Sequence, residues 1–241
     1  MSETALSFRD PIAAALWQAR LNASTIDPAL RPAEGLPPER ATEVAAEVYA
    51  ALRQTGARQV GWKLAATDPR VQARFRTNAP FYAPVFDATL IPDGSTVSLG
   101  QLVAPIFEAE IGLRVEGEHV VAFPCVELAD CRFPGWNVIY TDGTADFGLQ
   151  GLMLFGEPGE QVSTVEVVVS HDGQEVARGA KAVSEAVESL RWLEAQLGTR
   201  LGADGPVWVA TGSLIAPPPV RPGRWVADFG PFGKLTLTFE P

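Results

Sequence analysis

The sequence is poor in the residues on which many enzymes and metal sites depend. Only two histidines and two cysteines occur among its 241 residues. A catalytic triad or a metal site built on histidine is therefore poorly supported. Cys125 and Cys131 are six residues apart. This is neither a CxxC spacing nor a disulfide framework, so we expect two buried, reduced thiols in a cytoplasmic protein.

Positive charge and long apolar runs are also scarce. The formal net charge is −10, which argues against nucleic acid as a partner. No apolar run reaches the roughly 18 residues that a membrane span needs. The start, Met1-Ser2-Glu3-Thr4, has neither the basic nor the apolar region of a signal peptide. We therefore expect a protein that binds neither nucleic acid nor membrane.

The pattern of apolar residues changes near residue 57. Helical spacing precedes it, and short apolar runs separated by Gly, Pro and Asp follow it. We predict a helical region over 1–57 and a β-rich catalytic domain over 58–241. The predicted helices cover about 10–22, 41–56, 68–75 and 183–197. The predicted strands cover 59–65, 95–99, 105–115, 120–123, 136–140, 151–155, 163–170, 207–211, 224–229 and 234–239.

Two glutamates one residue apart are the most informative feature of the chain. Glu108 and Glu110 lie in the apolar run Pro105–Leu113, and residues i and i+2 of a strand point to the same face. Neighbouring carboxylates resist ionising together unless a cation neutralises them. Oxygen ligands suit Mg²⁺, Mn²⁺ and Ca²⁺. The pattern favours a divalent metal site, although a solvated strand face would read the same way.

Two further charged residues lie in apolar surroundings. Lys63 is in the apolar run Val60–Ala66, where burial lowers a lysine pKa toward the range useful for proton transfer. The alternative is an ammonium group that reaches solvent along the strand. Glu127 is a third carboxylate in a mostly apolar segment, followed by Asp130. Either carboxylate could be a ligand or a plain edge or turn residue.

Two polar segments follow predicted strands. Thr141–Gly148 is a small, glycine-containing segment that is either a ligand loop or a plain turn. Ala210–Leu214 brings hydroxyls and exposed amides to a strand end, which suits a small carboxylate. A generic loop is the alternative for this segment too.

These pieces occur together and in order, and in this combination the chain resembles the fumarylacetoacetate hydrolase superfamily. The resemblance is strongest to 2-keto-4-pentenoate hydratases and 2-oxo-3-hexenedioate (4-oxalocrotonate) decarboxylases. It covers roughly residue 60 to the C-terminus, with a weaker match in the N-terminal helices. The matching segments are 60–64, 80–86, 107–111, 124–132, Asp142 with 145–146, 211–214 and 220–239.

The resemblance implies an α+β fold: a β-rich mixed sheet rolled into a barrel-like shape, with a small N-terminal helical region. It implies a Mg²⁺ or Mn²⁺ ion and a small 2-keto acid substrate that chelates the ion. By position, Glu108, Glu110 and Glu127 are the expected metal ligands and Lys63 the acid/base group. The expected substrate-binding residues are Asp142, Thr211, Gly212 and Ser213.

The chain departs from the family pattern at several places. Glu110 and Glu127 are joined by a short hairpin where relatives have about a dozen more residues that form a helix. The usual Pro-Asp-aromatic-Gly reads Pro80-Phe81-Tyr82-Ala83, and the usual Asp-Asn-x-Ser reads Asp146-Phe147-Gly148-Leu149. The Gly-rich segment before the last helix reads Gly179-Ala180-Lys181-Ala182-Val183. We expect a retained metal site beside a more open and more apolar substrate pocket.

Three functions remain open on this resemblance. The leading one is a metal-dependent hydratase of a small 2-keto or 2-hydroxydienoate acid, with a role in aromatic catabolism. The second is decarboxylation of an oxo acid or hydrolysis of an acylpyruvate by the same site. The third is an inert binding homologue, since a fold does not by itself guarantee activity. Relatives commonly associate, so a cytoplasmic homo-oligomer is expected.

Overall fold

The computed structural model describes residues 6–241, so the predicted lack of a signal peptide at Met1–Thr4 lies outside the described residues. Residues 6–241 form five α-helices and eleven strands. The helices are α1 Pro11–Leu21, α2 Pro38–Gln54, α3 Pro69–Arg74, α4 Tyr140–Ala145 and α5 Val183–Leu197. The strands are β1 Gln59–Ala65, β2 Phe81–Phe86, β3 Thr96–Ser98, β4 Ile106–Glu116, β5 His119–Ala129, β6 Gln150–Phe155, β7 Thr164–His171, β8 Gln174–Ala182, β9 Val207–Ser213, β10 Gly223–Asp228 and β11 Lys234–Glu240.

The strands form two mixed sheets, which confirms the predicted α+β class. The six-stranded sheet has the order β2-β1-β9-β4-β5-β6, and the five-stranded sheet the order β3-β11-β10-β7-β8. Apolar side chains of both sheets share one buried core, together with α5. The core-facing residues of β4 alternate with the glutamates, because successive strand residues point to opposite faces. The glutamates therefore lie on the face turned away from this core.

The six-stranded sheet curls until its two edges meet. Val85 of the edge strand β2 and Met153 of the edge strand β6 share a buried cluster with Phe123, Cys125 and Ala210. Just beyond β2, the amide of Ile91 donates to Met153 O at 2.9 Å. The curl encloses the face that carries the glutamates, as the predicted rolled sheet requires.

The N-terminal helices share a second core with residues from the β-rich part. Apolar residues of α1 and α2 pack with Phe81 and Phe86 of β2 and with Phe147. The change from helices to strands falls between α2 and β1, near the predicted boundary at residue 57. This core includes residues from both predicted parts of the chain. Their division into two domains stays a prediction.

One predicted strand is wrong. Residues 136–140 were expected to form a strand, but they follow a turn at Gly135, where φ is +66°, and lead into α4. The carboxylate of Asp142 accepts a hydrogen bond from the Ile139 amide at 2.9 Å, which stabilises the start of a helix. The segment 141–148, interpreted as a loop, is consequently α4 followed by a short 3-10 turn over Phe147–Leu149.

Candidate metal centre

Three glutamates on two adjacent strands form a cluster on the enclosed face of the sheet. Glu108 of β4 pairs directly with Glu127 of β5, and Glu110 follows two residues along β4. One carboxylate oxygen from each lies within 4.8 Å of the other two. Glu110 and Glu127 are fully buried and Glu108 is half-buried. The alternative of a solvated strand face is therefore wrong.

Lys63 joins this cluster from a distant strand. Its Nζ lies 2.8 Å from Glu127 Oε1 and donates to Gly148 O, also at 2.8 Å. Lys63 is on β1, three positions from β5 in the sheet order, so a flat sheet would separate the two strands by roughly 14 Å. The curl of the sheet closes that distance. The alternative of a lysine that reaches solvent is also wrong, because the side chain is 2% exposed.

Burial and mutual repulsion set the charge state of the cluster without a cation. Burial raises the pKa of all three glutamates, and with the charge of Glu127 it raises the pKa of Glu108 to about 7. Burial alone would lower the pKa of Lys63, but the glutamate charges outweigh it and hold that pKa above its usual range. The lowered pKa of Lys63 that was expected from the sequence is therefore wrong.

The cluster has the charge and the free oxygen atoms that a divalent cation needs. Glu110 Oε1 and Glu127 Oε2 are buried and accept no hydrogen bond from any residue in 6–241. Buried carboxylate oxygens without donors are costly unless an ion occupies the space between them. When all three carboxylates are ionised, they and the one ammonium group carry a charge of minus two, which a divalent cation neutralises. The residues present therefore fit a divalent metal ion with oxygen ligands.

Asp142 lies in α4, within the helical part. Its Oδ2 accepts from Arg31 Nη2 at 2.7 Å and from the Ile139 amide, and its Oδ1 accepts from the Leu36 amide at 3.0 Å. The side chain is fully buried. Both oxygens are thus engaged inside the protein, and the substrate-binding role of Asp142 stays a prediction.

The segment Thr211–Ser213 adjoins the cluster at the end of β9. The Gly212 amide donates to Glu110 Oε2 at 2.8 Å, and Thr211 Oγ1 donates to Ile111 O at 2.8 Å. Ser213 Oγ forms a hydrogen bond with the Ile215 backbone. This segment holds a glutamate in place, and its predicted role in binding substrate stays a prediction.

Two residues beside the cluster were not among the predicted site residues. Gly148 supplies the carbonyl that Lys63 contacts, and Lys181 donates to Thr211 O at 2.9 Å. Gly148 has φ +63°, and a Cβ there would lie 2.7 Å from the Ala83 Cβ. The atypical segments 146–149 and 179–183 were the only signal in the sequence that pointed to these residues.

A cavity of about 890 Å³ lies beside β1 and β2. Trp62, the neighbour of Lys63, lines it together with Tyr82 and Trp192. Since consecutive strand residues face opposite sides, Trp62 points away from the face that carries Lys63 and the glutamates. Phe81, at the position where the family has Asp, also lines the cavity and packs against Phe75. The apolar replacement expected at this position thus contributes to packing.

Curated relatives carry names from two enzyme types. The chain is 28% identical over 214 residues to a 2-keto-4-pentenoate hydratase of Burkholderia vietnamiensis, covering 78% of this chain and 81% of that protein. It is 29% identical over 182 residues to 2-keto-4-pentenoate hydratase 2 of Dechloromonas aromatica, covering 70% of this chain and 66% of that protein. It is 26% identical over 207 residues to a 4-oxalocrotonate decarboxylase of Pseudomonas sp. (strain CF600), covering 76% and 78%. The predicted resemblance is confirmed.

A solved structure matches nearly the whole fold. A 4-oxalocrotonate decarboxylase from Pseudomonas putida G7, complexed with magnesium and adipate, superposes with a TM-score of 0.82 at 22% identity. The match covers 98% of this chain and 100% of that one. This likeness confirms the predicted rolled α+β fold. No family model matches the chain, and no helix among residues 6–241 is long and apolar enough to cross a membrane.

Proposed function

We propose that this chain is a divalent-metal-dependent lyase, a hydratase of the 2-keto-4-pentenoate type that acts on a small 2-keto or 2-hydroxydienoate acid. The observation that carries the proposal is the buried cluster of Glu108, Glu110 and Glu127 beside Lys63, in a chain whose relatives are named as such hydratases. The relatives supply the reaction type, and the cluster supplies groups that suit it.

The three glutamates would hold the ion, which we propose to be Mg²⁺ or Mn²⁺ because every candidate ligand is a carboxylate oxygen. When bound, such an ion supplies Lewis-acid polarisation of the keto group of the substrate. Magnesium and calcium are each present in solved structures of the 4-oxalocrotonate decarboxylase that shares this fold.

Lys63 would hold and move the proton. With their charge neutralised, the glutamates would no longer hold the pKa of Lys63 up, and burial would favour release of its proton. The Gly148 carbonyl fixes the ammonium group at 2.8 Å and so orients it toward Glu127. A single positioned acid/base group contributes about 10²–10⁴-fold to a rate.

The test compares Mg²⁺ and Mn²⁺ binding to the wild type and to Glu110→Gln by calorimetry, with Glu116→Gln as the control. Glu116 ends the same strand but is exposed and pairs with Arg114. We expect Glu110→Gln to lose metal binding and turnover while remaining folded, and Glu116→Gln to retain both. Full metal affinity in Glu110→Gln would show that the ligand assignment is wrong.

Decarboxylation is the second candidate, favoured by the sequence similarity to 4-oxalocrotonate decarboxylases. A panel of 2-keto acids separates the reactions by their products. Formation of a 4-hydroxy-2-oxo acid, the product of water addition, supports the hydratase. Release of CO₂ supports the decarboxylase. Cleavage into two acids indicates an acylpyruvate hydrolase. Metal binding without turnover across the panel would favour an inert homologue.

Assembly, location and pathway belong to the same proposal. We propose a cytoplasmic homo-oligomer with a role in aromatic catabolism, because members of the superfamily that the chain resembles commonly associate and its two cysteines are free thiols. Light scattering on the purified protein tests the assembly. A monomer at micromolar concentration would contradict it.

A further inference from the structure

Lys181 brings a second ammonium group close to the glutamate cluster. It lies near the end of β8 in the five-stranded sheet. Its Nζ donates to Thr211 O at 2.9 Å and lies 3.5 Å from Gly212 O. Both carbonyls belong to β9 in the other sheet. The half-buried side chain thus ties the two sheets together beside the candidate metal centre.

One peptide group contacts both Lys181 and Glu110, because the Thr211 carbonyl and the Gly212 amide belong to the same peptide unit. The Gly212 amide donates to Glu110 Oε2 at 2.8 Å, and Glu110 Oε1 accepts no hydrogen bond from residues 6–241. Gly212 has φ +91°, and a Cβ there would lie 2.1 Å from Thr67 Oγ1. Contact with Thr67 therefore restricts the backbone conformation in which the Gly212 amide points at Glu110.

Close packing of β8 supports the same segment. A Cβ at Gly179 would lie 1.9 Å from Leu214 O, so the two backbones touch at this point. Thr211 Oγ1 fixes the other side of the segment through Ile111 O on β4. Gly179, Lys181 and Thr211 together leave the Gly212 peptide little freedom.

We propose that Lys181 is a positioning residue for Glu110. Its ammonium group anchors the carbonyls of Thr211 and Gly212, so that the Gly212 amide holds one oxygen of Glu110 and leaves the other free for a metal ion. The inference rests on the proposed function, since it assigns Glu110 to a metal ion. Groups that orient metal ligands typically change metal affinity about 10–100-fold when they are removed.

The test is direct Mn²⁺ binding, measured by electron paramagnetic resonance at a temperature well below unfolding. Lys181→Met should weaken Mn²⁺ binding about 10-fold or more, because the anchor is lost. Lys181→Arg, which keeps a cationic donor, should recover most of that loss. Lys234→Met is the matched control, since Lys234 is an exposed lysine on β11 paired with Asp228, and its Mn²⁺ affinity should equal that of the wild type.

A lower melting temperature in Lys181→Met with wild-type Mn²⁺ affinity would mean a merely structural role and would overturn the inference. If Lys181→Met does not fold, Gly179→Ala keeps the ammonium group but displaces β8 from Leu214, and it should weaken Mn²⁺ binding in the same way. Unchanged affinity in a folded Gly179→Ala would also overturn the inference. A wild type that binds no Mn²⁺ would instead refute the metal centre itself.

Discussion

At the scale of single residues, Lys63 is closely coupled to the charges of the glutamate cluster. It is the cation nearest to Glu127, at 2.8 Å, and both side chains are almost completely buried. Lys63→Met leaves three carboxylates facing one another with no positive charge between them. Breaking one side of a buried ion pair costs about 3–5 kcal/mol. We expect this loss in the metal-free protein and a much smaller one when Mg²⁺ saturates the cluster.

Urea unfolding in EDTA and in excess Mg²⁺ measures the two losses. Lys234→Met, which removes an exposed lysine, should change the free energy of unfolding by less than about 1 kcal/mol in both conditions. Equal destabilisation of Lys63→Met with and without Mg²⁺ would contradict the assignment of a cation to this cluster.

Gly148 is the second residue whose replacement is informative. Its φ is +63°, and an added Cβ would meet the Ala83 Cβ at 2.7 Å and the Lys63 Cδ at 3.3 Å. Gly148→Ala should therefore reduce kcat by displacing the carbonyl that orients Lys63, and should cost about 1–3 kcal/mol of stability. Steady-state kinetics at saturating metal measure the first effect.

Gly117 provides the matched control for this substitution. It has a similar φ of +60°, in the turn between β4 and β5, but nothing lies within 4 Å of an added Cβ. Gly117→Ala should show the backbone strain alone, with kcat unchanged. If the two variants lost kcat equally, the contact between Gly148 and Lys63 would have no part in catalysis.

At the scale of elements, the two N-terminal helices are linked by an ion pair that should break when acid protonates its carboxylate. Asp10 caps α1 through the Ile12 amide at 2.8 Å and pairs with Arg40 of α2 at 2.7 Å. The hydrogen bonds from Arg40 hold the pKa of Asp10 below its usual 3.8. The stabilisation is therefore fully present above pH 3.8 and is lost as the pH falls through the lowered pKa.

Asp10→Asn keeps a capping side chain and removes the charge. It should lower the free energy of unfolding by less than about 1 kcal/mol at neutral pH, and the difference from the wild type should shrink as the pH falls below 3.8. Urea unfolding between pH 7 and pH 3 measures this trend. Asp27→Asn, at a cap with no arginine partner among the described residues, is the control, and a trend of equal size there would refute the role of Arg40.

Local patterns predicted most elements well. The apolar stripe of α5 and the stop at Gly198 gave the helix Val183–Leu197, where Gly198 is indeed left-handed with φ +67°. The predicted strand 59–65 coincides with β1. The strand β2 was missed because Pro84 interrupts its apolar run, and Pro is tolerated there since β2 is a sheet edge. The strand β8 was missed because most of its residues are polar or small, so it has no clear apolar run.

The site was predictable to the extent that it depends on strand periodicity and on resemblance. The i, i+2 spacing placed Glu108 and Glu110 on one face, as the structure has them. The approach of Lys63 to Glu127 depends on the curl of the whole sheet, which no local pattern reports. The contacts of Gly148 and Lys181 were missed for the same reason, since each joins strands far apart in the sequence.

At the scale of the whole molecule, we expect the glutamate cluster to couple folding to metal binding. Its members and Lys63 come from β1, β4 and β5 and meet only in the folded state, so a cation should bind the folded protein far better than the unfolded chain. Ligand at 100 times its Kd then stabilises the fold by about 2.7 kcal/mol. For a chain of this length, that corresponds to a Tm increase of roughly 5–10 °C.

Scanning calorimetry at increasing Mg²⁺ concentration measures this increase, and excess EDTA should reverse it. Glu110→Gln should show no such response. Its metal-free form should be at least as stable as the metal-free wild type, because the substitution removes one buried carboxylate from a mutually repelling set whose pKa values are all raised. If Glu110→Gln is more stable than the wild type without metal and is not stabilised by Mg²⁺, then the ionised cluster destabilises the metal-free fold and is stabilised by binding a cation. A wild-type Tm independent of Mg²⁺ would contradict this coupling.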